Sequence, residues 1–297
     1  MYGKRAEKGG RQGGNLTHMA LLLALFSSVL WGSADFEGGR LAKKFPAIAV
    51  TGASQALGLV VGIGIVLISG EWRAPAFGGT GYFYPAVVAG VTGYLGLVAL
   101  YAGLSTGRMG VVSPISSLCA IIPVTVALIG GESLPLVKGL GVAIALVGAF
   151  CASGPEISQG LPLRPILLAV GAALGFGTAL TFMARGSLSS ALMTMVMMRV
   201  TTLLITTTIA LKYRTVGGLT KKDLPRLASM GTADFAANVL LGIASTKGLV
   251  SIVMVLGSLF PIMTAFLAFK ILHERLHRIQ YVGIVLAIAG VAIISAT

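Results

Sequence analysis

The stretch that decides the fold runs from Ser245 to Gly290 and reads STKGLVSIVMVLGSLFPIMTAFLAFKILHERLHRIQYVGIVLAIAG. Its landmarks, in order, are Ser258-Leu259-Phe260-Pro261, His273-Glu274-Arg275-Leu276, Gly283 and Gly290. An earlier part of the chain carries matching landmarks in the same order, namely Ser116-Ser117-Leu118, Pro123, Glu132-Ser133-Leu134, Gly141 and Gly148. The chain therefore contains this segment twice.

The spacing of the two copies indicates an old duplication with one gap. Pro123 and Pro261 are 138 residues apart, whereas Gly141 and Gly283 are 142 residues apart. The difference of four residues falls in the apolar run that follows each proline. A chain with two related halves is typical of many transporters.

The composition indicates a membrane protein. Hydrophobic residues make up 56% of the chain and charged residues only 10%, whereas a soluble domain has about 25% charged residues. With about 20 apolar residues for each spanning helix, 297 residues allow roughly ten helices and short loops. The expected fold class is an all-α polytopic membrane protein with two inverted repeats of five helices.

The net charge of +13 does not predict nucleic-acid binding, because the basic residues are scattered among short loops and the N-terminal tail. Such charges are typical of topology signals and of contacts with lipid headgroups. Cys119 and Cys151 lie in apolar runs and have neither disulfide nor metal spacing. The first apolar run is long enough to span, which argues against a cleaved signal peptide. We expect no cofactor and no metal.

The expected domains are a disordered basic tail at 1–15, a first repeat at 16–153, a linker at 154–163 and a second repeat at 164–297. The predicted helices of the first repeat cover residues 16–38, 45–69, 82–104, 109–131 and 134–153. Those of the second repeat cover residues 164–186, 189–212, 224–246, 249–272 and 277–296.

The two repeats are predicted to have opposite orientations, because five helices per half is an odd number. Their first helices also match, since Trp31-Gly32-Ser33-Ala34 resembles Phe176-Gly177-Thr178-Ala179. An inverted repeat predicts a solute route between the halves near the bilayer midplane. Lys and Arg are more numerous on the side opposite the N-terminus, and positive charge marks the cytoplasm. The charge distribution therefore predicts that both termini lie outside.

Together these features resemble the drug/metabolite transporter superfamily, specifically its ten-helix EamA-type members. The residues that carry the resemblance are Trp31-Gly32, Ser258-Leu259-Phe260-Pro261, Glu274-Arg275-Leu276, Gly283 and Gly290. The first copy departs from the pattern, because its apolar run is one turn shorter and Ser133 stands where Arg275 stands. The resemblance implies transport of a small solute such as an amino acid, a sugar, a nucleotide-linked metabolite or a drug. It also implies that both termini lie inside, so the sidedness stays open.

Two charged residues are predicted near the bilayer midplane. Arg199 and Asp234 lie at the middle of predicted helices, and Asn238 follows Asp234 on the same helical face. A charged side chain at that depth costs about 2.5–3.5 kcal/mol on insertion scales. Our hypothesis is that the three residues line a central cavity, where Arg199 binds a carboxylate or Asp234 binds an amine or a coupling proton. The alternative is a buried pair that only locks two helices together.

Other polar and aromatic residues form a second group of candidates. Gln55 is predicted to occupy in the first half the place of Arg199 in the second. Asp35 and Glu37 are expected roughly 12–15 Å from the midplane, either in a vestibule or at a solvated helix end. Three aromatic residues form a possible solute-facing wall or only pack in the membrane: Trp31, Tyr94 and Tyr101.

Prolines and acids near the repeat landmarks have structural interpretations. Pro123 and Pro261 are expected to interrupt two helices, as gating hinges or as static kinks. Glu132 and Glu274 are expected to cap the helices that follow them. His18, His273 and His277 do not have the spacing of a metal or proton-relay set, and no nucleotide-binding or catalytic motif is present.

The function predicted from the sequence is secondary transport of an amino acid or similar small metabolite by alternating access. We expect a proton-coupled exporter in the cytoplasmic (inner) membrane, working as a monomer or homodimer without nucleic acid. Within the same fold, the alternatives are an importer, a multidrug exporter or a lipid-linked sugar flippase. Outside transport, the alternatives are a membrane enzyme or a non-transporting membrane subunit.

Overall fold

The computed structural model describes residues 3–78, 80–106, 109–154, 163–273 and 277–296, and the regular structure in these ranges is helical. The α-helices are α1 Gly3–Ala42, α2 Ala47–Ser69, α3 Phe83–Ser105, α4 Met109–Ser117, α5 Ile121–Ile129, α6 Leu136–Ala152, α7 Leu163–Tyr213, α8 Leu224–Ser245, α9 Val250–Gly257, α10 Phe260–Leu272 and α11 Arg278–Ala296. Short 3₁₀ turns occupy Leu118–Ala120 and Lys221–Asp223.

The first helix is longer than predicted at both ends. It begins at Gly3, within the range 1–15 for which the sequence predicted a disordered tail, and it ends at Ala42 rather than at residue 38. No proline precedes Pro46, so no residue in this stretch removes a backbone donor or clashes with the preceding turn. The segment that is apolar enough to span begins at His18.

The described helices provide ten membrane crossings. Eight helical segments are long and apolar enough to cross a membrane, and α6 is a shorter apolar helix of 17 residues. One of the eight is α7, whose 51 residues would extend about 77 Å as a straight helix, against a hydrocarbon thickness of about 30 Å. The helix α7 therefore counts as two crossings, and the all-helical fold class is confirmed.

A helix cap at Ser190 divides α7 into two antiparallel segments. Ser190 has extended backbone angles (φ −162°, ψ 113°) within the otherwise helical run. Its hydroxyl oxygen accepts a hydrogen bond from the backbone N–H of Met193 at 3.3 Å, which is the pattern of an N-cap residue. Arg73 donates to the carbonyl oxygen of Ser189 at 3.0 Å, so the end of the first segment also has a partner. The predicted boundary between residues 186 and 189 is thus close to the observed one.

The crossings that contain Pro123 and Pro261 are broken helices. In the first half, the 3₁₀ turn Leu118–Ala120 separates α4 from α5, and Pro123 lies in the first turn of α5. In the second half, Ser258 and Leu259 separate α9 from α10, and Pro261 lies in the first turn of α10. The first-turn amides of a helix have no intrahelical acceptor, so proline is tolerated there. The expected interruptions are present, one turn or less before each proline.

Each half packs its first helix against the broken helix of the other half. Gly32 in α1 lies so close to the start of α10 that a β-carbon would overlap the carbonyl oxygen of Phe260. Gly177 in α7 lies against the break of the first half, where a β-carbon would come within 2.6 Å of the carbonyl oxygen of Cys119. The hydroxyl of Thr264 also donates to the carbonyl oxygen of Gly32 at 3.0 Å. The two halves therefore interlock rather than lie side by side.

The four spaced glycines of the duplicated segment form one helix–helix contact. Gly141 and Gly148 lie on α6, and Gly283 and Gly290 lie on α11, which packs against α6. A β-carbon on Gly290 would lie 2.6 Å from the backbone nitrogen of Ala145, and one on Gly148 or Gly283 would overlap the facing backbone. Small residues of this kind let membrane helices approach closely. The repeat landmark thus positions the last helix of each half against its counterpart.

Glu132 caps a helix of the opposite half, which differs from the predicted cap of its own following helix. Its carboxylate accepts hydrogen bonds from the backbone N–H groups of Val250 at 2.9 Å and Ser251 at 3.1 Å, and from the hydroxyl of Ser251. These groups begin α9, where the helix dipole favours a negative charge. The equivalent acid Glu274 lies outside the described residues, as do Arg275 and Leu276 of the same landmark.

We expect Glu132→Ala to lower the free energy of unfolding by about 0.5–2 kcal/mol, as when other helix caps are removed. The measurement is the melting temperature of the purified protein. Glu132→Gln keeps an acceptor oxygen, so its loss of stability should be smaller than that of Glu132→Ala. Glu71→Ala is a matched control, because Glu71 is exposed and lies in a loop on the same side of the membrane. Equal melting temperatures for Glu132→Ala and Glu71→Ala would show that the cap contributes nothing.

Candidate functional site

A cavity of about 60 Å³ lies between the two halves and contains the candidate site. Its wall includes residues from the first, second and third helices of the first half and from the equivalent helices of the second half. Both helix breaks also reach it, through Cys119 in the first half and Ser258 and Phe260 in the second. A water molecule needs about 10–15 Å³ on this measure, so the cavity has room for the polar group of a small solute.

Four polar side chains in the cavity wall form what we call the central cluster: Gln55, Arg199, Asp234 and Asn238. Arg199 Nη2 donates to Asp234 Oδ2 at 2.7 Å, and Gln55 Nε2 donates to the same oxygen at 2.8 Å. Asn238 Nδ2 donates to the backbone carbonyl of Asp234 at 2.7 Å and approaches Oδ1 at 3.3 Å. The carboxylate of Asp234 is thus the centre of the cluster, with partners from three helices.

The central cluster is buried but not saturated. Arg199 is 3% exposed, Asp234 7% and Gln55 2%, so their hydrogen bonds are shielded from water. Arg199 Nε has no hydrogen-bond partner among the described residues, and the guanidinium lies 5.9 Å from the ring centroid of Phe235. A guanidinium has five N–H donors, so the hydrogen-bonding capacity of Arg199 is not exhausted by Asp234.

Close backbone contact between α2 and α8 brings Gln55 within reach of Asp234. A β-carbon on Gly231 would overlap the carbonyl oxygen of Ser54, and one on Gly58 would lie 2.8 Å from the carbonyl oxygen of Gly231. The two glycines therefore allow the helices to touch at the level of the cluster. This contact explains how an amide from the first half hydrogen-bonds a carboxylate from the second.

The sequence-based candidates fall into two groups in the structure. One group is the central cluster, whose four members meet in the cavity wall: Gln55, Arg199, Asp234 and Asn238. Within it Arg199 pairs with Asp234. This pairing is compatible with both alternatives, a solute site and a buried pair that only joins two helices. Gln55 and Arg199, which were predicted to occupy equivalent places in the two halves, donate to the same oxygen of Asp234.

The aromatic candidates separate in a similar way. Trp31 and Tyr94 line the cavity, whereas Tyr101 is 1% exposed and is not among the cavity-lining residues. Tyr101 lies behind Asp35, to which its hydroxyl donates at 3.1 Å. The aromatic wall of the sequence hypothesis therefore contains Trp31 and Tyr94 but not Tyr101.

Asp35 lies in the cavity wall, so the interpretation as a solvated helix end is wrong for this residue. It is 8% exposed, and it lines the cavity together with Trp31, one turn earlier on α1. The prediction misplaced it because the spanning segment continues to Ala42. Asp35 is only five residues beyond the middle of that segment, about 7–8 Å along the helix.

Glu37 is outside the cavity wall. Its Oε1 pairs with Arg40 at 2.8 Å, and both side chains are partly exposed. This partly exposed pair near the end of α1 agrees with the expected helix end better than with a cavity position.

Phe176 is a cavity residue that the sequence reasoning did not select. It lines the cavity and is the repeat equivalent of Trp31 in the match between the first helices of the halves. Applying the duplication to each candidate would have identified it. Groups of three or more potential metal ligands do not occur within the described ranges.

Comparison with known proteins agrees with this architecture. The model of the EamA-like transporter family matches residues 18–154 and, a second time, residues 163–296. No curated protein matches the chain. A solved structure named only as a crystal structure of a protein is similar with a TM-score of 0.72 and 17% identity, over 93% of this chain and 96% of that chain. At this identity the similarity concerns the fold alone.

Proposed function

The chain belongs to the EamA-like transporter family, and on this premise we propose that it is a secondary transporter of an amino acid or a similar small metabolite. The resemblance seen in the sequence is confirmed, and the chain is a multi-pass membrane transporter built from two related halves. In our proposal it works by alternating access, exports its solute across the cytoplasmic membrane and exchanges it for protons.

The observation that carries the proposal is the buried, incompletely paired central cluster in a cavity between the two halves. Replacing a buried ion pair by apolar residues is often neutral or stabilising, so such a pair is weak evidence for a stabilising role. In a membrane, ionisable residues that face a cavity are typical of solute or proton pathways. Arg199 and Asp234 fit this second description.

The chemistry of the cluster supports a small solute with charged groups. The donors of Arg199 suit a carboxylate, which a guanidinium binds in a planar geometry. Asp234 accepts hydrogen bonds from Arg199 and Gln55 on one oxygen. Asn238 supports Asp234 from the next turn of α8. We propose that a solute carboxylate binds beside this pair.

Movement of the halves is proposed to occur at the helix breaks. Cys119, Ser258 and Phe260 bring both breaks to the cavity wall, and Pro123 and Pro261 follow them immediately. Broken helices at a central site are typical of transporters with inverted repeats. A solute that contacts both breaks can therefore influence the angle between the segments on either side.

The proposal is tested by proton-coupled flux in liposomes. Purified protein is reconstituted around a pH-sensitive dye, a pH gradient is imposed, and the twenty amino acids are added one at a time. We expect at least one amino acid to produce proton movement that protein-free liposomes lack. Uptake of the same amino acid in radiolabelled form is measured in parallel. Labelled uptake without proton movement would reject the coupling, and well-folded protein that shows neither would instead favour a non-transporting subunit.

The direction of transport requires intact cells. Cells that express an exporter should tolerate toxic amino acid analogues better than cells with an empty vector. Sensitisation by expression would indicate an importer. Protection against structurally unrelated organic cations, or movement of a lipid-linked sugar, would instead indicate the multidrug or flippase alternatives.

A further inference from the structure

Asp35 has a carboxyl group in the cavity wall that makes no hydrogen bond to the central cluster among the described contacts. It lies on α1, is 8% exposed and lines the cavity. Its Oδ1 accepts a hydrogen bond from the hydroxyl of Tyr101 at 3.1 Å. Tyr101 is itself buried, so Asp35 is held in place from behind and presents its remaining acceptor capacity to the cavity.

The charges around the cavity do not balance. The charged residues in its described wall are Asp35, Asp234 and Arg199, which give two carboxyls and one guanidinium. Arg199 pairs with Asp234 at 2.7 Å, and Asp35 takes part in no ion pair among the described residues. An isolated carboxylate in an apolar surrounding is costly unless it gains a partner. The cavity is therefore complementary to one additional positive charge, which a proton or a cationic group of the solute can supply.

The surroundings of Asp35 suit an organic cation. Trp31 precedes Asp35 by one helical turn, and Tyr94 and Phe176 also line the cavity. Trp31 contacts Phe260 edge to face, with ring centroids 6.4 Å apart and an interplanar angle of 83°. Aromatic faces attract ammonium groups, by about 0.5–2 kcal/mol in proteins. A carboxyl in a cavity lined by such rings can bind an alkylammonium group through both charge and ring contacts.

We propose that Asp35 binds the protonated amine of the transported solute. The inference rests on the proposed transport function and narrows its substrate class to amine-bearing solutes, such as amino acids and the corresponding amines. A 2-oxo acid with the same side chain lacks the amine and is excluded from the class. Arg199 and Asp35 then recognise the carboxylate and the ammonium group of an amino acid, respectively.

The test uses matched triplets of an amino acid, its decarboxylated amine and its 2-oxo acid. The thermal stability of purified protein is measured against each compound over a concentration series. We expect the amino acid and the amine to stabilise the wild-type protein, and the 2-oxo acid, which keeps only the carboxylate for Arg199, to stabilise it less. Equal stabilisation by a 2-oxo acid, or no stabilisation by any amine-bearing compound, would overturn the proposal.

Variants assign the effect to the residue. Asp35→Asn keeps the shape and the hydrogen bond from Tyr101 but removes the charge, so the apparent affinity for amine-bearing compounds should fall at least tenfold. Glu37→Gln is the matched control, because Glu37 lies one half-turn away on α1 but outside the cavity wall, and its affinity should not change. Unchanged affinity in Asp35→Asn would overturn the proposal.

Measurements of solute flux in liposomes distinguish a failure of the amine-binding proposal from a failure of the proposed transport function. If wild-type liposomes transport a solute that has no amine, transport stands and the amine proposal fails. If they transport nothing, the proposed function fails. If Asp35→Asn still exchanges labelled amino acid at the wild-type rate but no longer responds to a pH gradient, Asp35 carries a coupling proton rather than the amine, and the proposal is wrong.

Discussion

Asp234→Leu is expected to destabilise the protein by about 3–5 kcal/mol, the cost of leaving one member of a buried ion pair without its partner. Arg199 is 3% exposed, so its charge has no access to bulk water once Asp234 is removed. Gln55 would also lose its acceptor. The measurement is the melting temperature and the folded fraction after purification in detergent.

The double variant Arg199→Met/Asp234→Leu should recover most of this loss. It replaces both charges by apolar side chains of similar volume, a change that is often neutral or stabilising for buried pairs. The buried amide of Gln55 would still lack an acceptor, which costs about 1–3 kcal/mol. The double variant should therefore regain only part of the stability lost in Asp234→Leu. If the double variant is as unstable as Asp234→Leu, the two residues do not act as a pair.

Gly231→Leu is expected to prevent folding into the described arrangement. The added side chain would overlap the backbone of α2 at Ser54, and even its β-carbon would lie 3.0 Å from the backbone nitrogen of Gly58. Overpacking costs about 1–3 kcal/mol where side chains yield, and backbone yields less readily. Separation of α2 from α8 would also break the hydrogen bond between Gln55 and Asp234, so transport should be lost with stability.

Gly64→Leu is the matched control for this prediction. Gly64 lies in the same pair of membrane helices, on α2, but a β-carbon there would meet no atom within 4 Å. Its folded yield and melting temperature should stay near those of the wild type. A normal yield for Gly231→Leu would contradict the described contact between α2 and α8.

The sequence predicted the architecture well because the two repeats carry the same landmark residues in the same order, and the prolines and glycines among them lie in equivalent helices of the two halves. The glycines that mark the repeat, such as Gly148 and Gly283, are required by backbone contact between α6 and α11. The place of Arg199 and Asp234 in the cavity wall was also predictable, since a charged residue at the centre of a long apolar run is costly without a specific partner.

The sequence did not predict contacts that depend on how the halves interlock. Glu132 was expected to cap its own following helix, but the structure pairs it with the start of α9, about 118 residues away. Local charge rules identify an acid near a helix end without specifying which helix. Asp35 was placed too near the surface, because nothing local to Asp35 shows that α1 continues to Ala42.

The most direct test of the proposed site is flux through the double variant Arg199→Met/Asp234→Leu in liposomes, with an amino acid that the wild type transports under a pH gradient. We predict a folded protein with a normal elution profile and no solute-dependent proton movement, because the groups that bind the solute are absent. Transport at the wild-type rate by this folded variant would show that the pair only joins two helices and that the solute binds elsewhere.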